Sequence, residues 1–273
     1  MTINAEKTAD DDVASAPAVR VDAMSVRYGA LTALKDFDFV AEAGQVTAVI
    51  GPNGSGKTTF LNALTGAVPY QTGRVAINGL DVSHATPGRL HKLGVSRTFQ
   101  NLDLMDDLSV ESNVRLGATS RSHATLLEAA LLAPRTISEN RQRRQSAGAA
   151  MRLLGIERHS RTLVAELSYG LRRRVEVARA LASSARILLL DEPTAGMGPN
   201  ESNEFSQLVG HLRDELGLAV VMIEHDMSVV RSVADVTYVL SAGVTIAHGK
   251  PANVLDDPNV KRVYLGSFEV DNA

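Results

Sequence analysis

Residues 46–59, VTAVIGPNGSGKTT, constrain this chain more than any other segment. An unbroken apolar, β-branched run leads into Gly51, Gly56, Lys57 and Thr58 at the spacing G-x-x-x-x-G-K-[ST], and TTFLNALTG leads out as a helix. A strand that turns through glycines straight into a helix aims backbone N–H groups and the positive helix end at one anion-sized nest. Pro52, Asn53, Gly54, Ser55 and Thr59 complete that nest. Lys57 is expected to reach the β- and γ-phosphates of a nucleotide, and the Thr58 hydroxyl to ligate Mg²⁺. Charge-assisted bonds of about 1.5–3 kcal/mol each make micromolar nucleotide affinity reasonable. A chance glycine-rich turn is the bland alternative, and the flanking strand and helix weigh against it.

A second acidic strand end follows in ILLLDEP at 187–193. Asp191 is expected to hold the Mg²⁺ water shell opposite Thr58, leaving Glu192 to orient the attacking water or take its proton. Alone, the pair reads equally as an acidic strand end meeting solvent.

The rest of the composition removes competitors. With no cysteine, the chain has no disulfide framework, thiolate nucleophile or cysteine-built zinc site, and cytosolic residence fits best. Lys and Arg total 28 against 31 Asp and Glu, so no net positive field favours nucleic acid or anionic lipid. The longest apolar runs, VTAVI and ILLL, fall far short of the roughly 20 residues that cross a bilayer. The polar, acidic N-terminus lacks the features of a secretory signal. Work at a membrane would require a docking partner.

Residues 1–17 read as a disordered tail, and 18–273 as one domain. Val19, Val21 and Ala23 alternate as a strand, and Asn78-Gly79 marks a hairpin turn in RVAINGLDV. A helical subdomain is expected over about 100–175, with Ala147, Ala150, Met151 and Leu154 on its core face. Arg135, Arg141, Arg143, Arg144 and Arg152 are read as a solvated helix face, since no aromatic residue interleaves them as in a nucleic-acid patch. RILLLD and AVVMIE are buried strands of a parallel sheet. The helix between them carries Phe205, Leu208, Val209, Leu212 and Leu216 on one stripe. VTYVL and VTIAHG close the sheet.

Further segments then line up with a known family. LSYGLRRRVEVARAL at 167–181 resembles the signature sequence of the ABC (ATP-binding cassette) ATPases. The resemblance implies an α/β phosphate-loop NTPase core of ABC type with an antiparallel β subdomain and an α-helical subdomain. It implies ATP and Mg²⁺ as ligands, and a head-to-tail dimer in which Ser168 and Gly170 of one subunit touch the γ-phosphate held by the other. TFQN at 98–101 resembles the Q-loop, making Gln100 the residue that touches Mg²⁺ and senses a transmembrane permease subunit. IEHDM at 223–227 resembles the switch region, making His225 a γ-phosphate contact, and Tyr28 sits where the family stacks an aromatic ring on adenine. The segment 96–114 and the ending GKPANVLDDPNVKRVYLG look like the ATPase subunit of branched-chain amino acid and urea-type importers, a cytoplasmic protein held on the inner face of the membrane.

Two positions depart from the family pattern: Leu171 stands where Gln is usual, and Gly198 where Asp or Asn is usual. Phe99, Leu102, Leu104 and Met105 form either a docking surface for the permease or part of the subdomain core. A soluble ABC ATPase acting on ribosomes or nucleic acid is the alternative function. The second subunit is a copy of this chain or a related ATPase.

Overall fold

The computed structural model describes residues 16–98, 102–119 and 134–270. Most of the expected N-terminal tail therefore lies outside the described residues, as do Phe99, Gln100 and Asn101.

Two sheets carry the fold. The smaller has the order β2-β1-β4-β5, from β1 (Val19–Tyr28), β2 (Leu31–Ala41), β4 (Thr72–Ile77) and β5 (Leu80–Asp81), all antiparallel. The larger has the order β10-β9-β3-β8-β7-β6, from β3 (Val46–Ile50), β6 (Val95–Arg97), β7 (Ile187–Asp191), β8 (Ala219–Ile223), β9 (Val236–Ser241) and β10 (Val244–Gly249). Five of its strands are parallel and only the edge strand β10 runs antiparallel.

The parallel strands read as continuous apolar runs because both faces are covered. Ile187, Leu189, Val221, Ile223 and Val49 face the antiparallel sheet, while Leu188, Leu190, Val220 and Met222 face a helical layer. In the first interface Phe37, Phe39, Phe60 and Tyr238 form an aromatic cluster, with Phe60 centred 4.9 Å from Phe37 and 4.8 Å from Phe39. Phe60 lies on α1 (Lys57–Leu64), so this cluster anchors the helix that follows the phosphate loop.

Asn78 and Gly79 both adopt positive φ, 49° and 76°, and join β4 to β5 as a tight hairpin turn. The expected alternation in β1 breaks after Val21. Ala23 takes φ 48° and faces solvent, because a bulge hands the inward position to Met24.

Between β6 and β7 the chain forms α3 (Val110–Thr119), α4 (Pro134–Leu153) and α5 (Tyr169–Ala182), preceded by the short α2 (Pro87–Lys92) ahead of β6. Ala147, Ala150, Met151 and Leu154 are buried against Val110, Val114, Val175 and Ala178. On the outer face Arg144 and Arg152 keep side-chain exposures of 72% and 60% and Arg141 is exposed, whereas Arg143 is half-buried and the Arg135 side chain lies outside the described residues.

Beyond β7 lie α6 (Pro199–Leu216) and, after β8, α7 (Met227–Val233); α8 (Pro251–Asp256) and α9 (Pro258–Val270) end the chain. On α6 the buried positions are Ser202, Phe205, Ser206, Val209 and Leu212. Leu216, expected on this stripe, is 43% exposed because it lies in the last turn, where the helix runs past the core.

Helices α3 and α5 cross closely at Gly117, where an added Cβ would lie 2.0 Å from the Arg179 carbonyl oxygen. Gly117→Ala is expected to destabilise the fold by about 1–3 kcal/mol through overpacking. Thermal unfolding checks this against Gly88→Ala, whose Cβ would meet nothing within 4 Å. Equal melting temperatures for the two variants would show that α3 can move away freely.

Candidate nucleotide-binding site

The carboxyl ends of β3, β6, β7 and β8 meet at one edge of the parallel sheet, the general location of ligand crevices in open α/β sheets. The phosphate loop leaves the end of β3. Its first glycine, Gly51, has φ 151°, and a Cβ there would lie 2.1 Å from the Leu240 carbonyl oxygen. Gly56 precedes α1 at φ 109° with Ala33 O 2.6 Å from a would-be Cβ. Both positions therefore exclude side chains for steric and conformational reasons.

The first helical bond of α1 runs from Phe60 N–H to Gly56 O at 2.8 Å. The N–H groups of Lys57, Thr58 and Thr59 consequently precede the helical ladder and face the loop, with the positive end of the helix behind them. Pro52 and Thr59 are half-buried, while Asn53, Gly54 and Thr58 are exposed. Ser55 is buried, and its hydroxyl oxygen has no hydrogen-bond partner, a polar atom left available to an incoming ligand.

Lys57 crosses the loop from inside, donating to Gly51 O at 2.7 Å and Pro52 O at 3.0 Å. Burial lowers its pKa, and the carboxylates of Glu192 and Asp191 oppose that shift. The lysine and both strand-end acids thus share one electrostatic environment, although more than 130 residues separate them in the chain.

Asp191 ends β7, is buried, and accepts a 2.6 Å ion-paired hydrogen bond from Arg97 Nη2. Glu192 follows at φ 47°, a left-handed conformation that a non-glycine residue holds only where its surroundings impose it. Its N–H donates to Ile223 O at 3.0 Å, so pairing with β8 extends one residue beyond the strand and turns the Glu192 side chain off the ladder.

At the end of β8, Glu224 is fully buried. One carboxylate oxygen accepts from Thr194 Oγ1 at 2.6 Å and Thr194 N at 3.2 Å. The other accepts from the N–H groups of His225 and Asp226 at 3.1 and 3.4 Å. The loop after Glu192 is thereby clamped to the loop that carries His225. His225 itself is exposed, and Asp226 caps α7 by accepting from the Ser228 hydroxyl at 2.6 Å and from Ser228 N at 2.8 Å, bonds that hold its pKa below the usual carboxylate range.

The remaining expected site residues lie elsewhere. Tyr28 ends β1 with its ring exposed. Ser168 and Gly170 start α5 and line a hollow of about 330 Å³ with Arg174, Met197 and Glu201, which shares no residue with the phosphate loop. Leu171 is half-buried against the helical core, and no atom lies within 4 Å of a would-be Cβ at Gly198. Leu104 packs on the helical core, whereas Met105 is 54% exposed and lines an apolar groove of about 610 Å³ with Leu90, Val95, Leu116 and Ala180. The apolar cluster expected there is therefore divided between core and surface.

Sequence reasoning missed Arg97 and Glu224. A charged residue at the carboxyl end of an apolar strand was the available signal for Glu224, whereas Arg97 ends the short Val-Ser-Arg strand and carried none. It also missed the buried Arg173–Glu176 pair, 3.0 Å apart inside α5.

Could these residues hold Mg²⁺? Among the described residues no group of three or more His, Cys, Asp or Glu forms a self-sufficient metal cage. That suits a small hard cation held by one or two protein oxygens together with phosphate and water. A buried carboxylate, an exposed threonine hydroxyl at a helix N-terminus and a glycine cradle supply such a donor set.

Comparison with known proteins places this geometry. The family model described as "ABC transporter" matches residues 34–195. The chain is 32% identical over 252 residues to the high-affinity branched-chain amino acid transport ATP-binding protein BraF of Pseudomonas aeruginosa, covering 92% of this chain and 99% of that protein. It is 34% identical over 239 residues to the lipopolysaccharide export system ATP-binding protein LptB of Escherichia coli, covering 88% and 93%. The ADP conformation of MJ1267, an ATP-binding cassette of an ABC transporter, superposes with a TM-score of 0.81 at 29% identity, covering 92% of this chain and all of that one. The dimeric cassette MJ0796 superposes with a TM-score of 0.71 at 25% identity, over 85% of this chain and 98% of that one. On the family match over more than half of the chain and the near end-to-end identity to these relatives, the chain belongs to the ABC transporter family as one of its ATPases.

Proposed function

We propose that this ATPase drives an importer of small polar solutes, with branched-chain amino acids or a related amide such as urea as cargo. The observation that carries the reading is the near end-to-end match to BraF, supported by the placement of Lys57, Asp191 and Glu192 near one another at the carboxyl ends of β3 and β7. The similarity to an export ATPase makes the cargo the point to test.

In this reading Lys57 and the backbone N–H groups of the loop from Asn53 to Thr59 grip the triphosphate, with Gly51 and Pro52 shaping the loop, while Tyr28 stacks on adenine. Thr58, Gln100 and Asp191 would hold Mg²⁺, whose charge would neutralise phosphate oxygens. Glu192 orients the attacking water and accepts its proton, and His225 contacts the γ-phosphate. Ser168 and Gly170 of a second, identical or related subunit cap the nucleotide head to tail, a reading supported by the hollow they line, which contains no residue of the chain's own phosphate loop. Loss of the γ-phosphate removes the bridge between subunits, and closure and opening form the power stroke. The folded unit spans 18–273 with its helical part at about 100–175.

No helix among the described residues is long and apolar enough to cross a membrane. The groove beside Met105 is suited to receive a segment of a permease subunit, which would hold this chain at the inner face of the membrane.

Co-purification followed by reconstitution in vesicles tests the proposal. Recovery with an integral membrane subunit and ATP-dependent uptake of radiolabelled leucine or urea is the expected result. Recovery with ribosomes or nucleic acid, or ATP-driven movement of lipid alone, would overturn it.

A further inference from the structure

Arg97 has no part in the reaction as described, yet it is a nearly buried cation tied to two elements of the site. It is the last residue of β6, and its backbone pairs with Leu189 of β7, two residues before Asp191. Its side chain is only 9% exposed, beside an Asp191 side chain at 4%. One guanidinium nitrogen donates to Asp191 Oδ2 at 2.6 Å, and the other donates to Asn62 Oδ1 at 2.7 Å on α1. A single planar cation thus spans the acid that ends β7 and the helix that follows the phosphate loop.

A carboxylate this deeply buried requires a counter-charge, and a guanidinium is suited to supply one because it remains protonated and keeps a fixed fork of donors. Asp191 therefore has a hydrogen-bonded cation beside it without any metal. A divalent ion approaching the same carboxylate must share it with, or displace, that positive charge, and the two cations repel each other.

We infer that Arg97 is a positioning residue that serves as a resident counter-cation for Asp191 and thereby weakens divalent-metal binding at the phosphate site, so that metal is retained only together with a triphosphate. The inference rests on the assignment of Asp191 to the metal. The competition is electrostatic and local: the Arg97 charge, and no particular contact to metal, sets the affinity.

The test uses the full chain with Mn²⁺ as a spectroscopic probe and a non-hydrolysable ATP analogue, followed by electron paramagnetic resonance. Removing one neighbouring unit charge shifts a local ionic equilibrium by about one logarithmic unit. Arg97→Met should therefore lower the half-saturating Mn²⁺ concentration by about tenfold. Arg97→Lys, which keeps the charge, should stay within about threefold of the parent protein, a distinction that a purely structural role for Arg97 would not produce. Should Arg97→Met not fold, Arg97→Gln carries the same expectation with a neutral polar side chain. Unchanged or weaker Mn²⁺ binding in the neutral variants overturns the proposal. Asp191→Asn separates the two levels. If it abolishes Mn²⁺ binding while neutral Arg97 variants leave it unchanged, only the role of Arg97 fails; if it leaves Mn²⁺ binding intact, the metal assignment fails and the inference with it.

Discussion

Replacing Glu192 by Gln is expected to leave ATP binding within about twofold while lowering turnover by about 10²–10⁴, the range that a positioned general base contributes. The substitution keeps the size and one acceptor oxygen of the side chain, so the backbone turn at φ 47° and the bond from its N–H to Ile223 O persist. What disappears is the ability to take a proton and one negative charge near Lys57. Retained nucleotide in the absence of hydrolysis should also accumulate the dimer, because the bridging triphosphate is not removed. Phosphate release and size-exclusion chromatography with ATP check both halves. Ordinary hydrolysis by this variant would remove Glu192 from the mechanism, whereas loss of ATP binding would show that the residue shapes the pocket instead.

Glu224→Ala is expected to have the largest structural effect among residues outside the phosphate loop. The carboxylate accepts four hydrogen bonds from Thr194, His225 and Asp226 in a fully buried position. Truncation leaves those donors without an acceptor, at about 1–3 kcal/mol for each one that water cannot reach. Partial rehydration brings the expected loss to about 3–5 kcal/mol, comparable to breaking a buried charged network. For a chain of this size that corresponds to a melting temperature lower by roughly 6–20 °C.

Turnover should also fall at least about tenfold at temperatures where the variant stays folded, because the loops bearing Glu192 and His225 are no longer tied together. Thermal unfolding by circular dichroism and hydrolysis assays on the same preparation measure both. Thr194→Ser, which keeps a hydroxyl for Glu224, should lose little of either. A Glu224→Ala protein as stable and active as the parent would show that the clamp has no mechanical part.

Several features were legible before any three-dimensional information because their causes are local. The apolar runs VTAVI and ILLL could bury both faces only inside a covered parallel sheet, and they do. Asn78-Gly79 adopts the positive φ pair that its turn needs. The β1 alternation went astray at Ala23 because a bulge is set by the partner strand, with Met24 paired to Phe37 across it. Likewise Leu216 shares the helical stripe of Phe205 and Leu212, but where the core ends along α6 is a property of the neighbouring elements.

By itself the sequence determined the phosphate loop, the acidic strand end and the signature segment. Glycine spacing, β-branched runs and motif order are properties of consecutive residues, and each residue there acts through its own backbone or its immediate neighbours. Only the tertiary structure decided which distant side chains complete the site. Arg97 reaches Asp191 across 94 positions, and Glu224 reaches Thr194 across 30, because β6, β7 and β8 lie side by side with their carboxyl ends level. That strand order is chosen by the global competition to bury apolar faces, so a charged residue ending one strand finds its partner through the packing of the whole sheet rather than through any spacing in the chain.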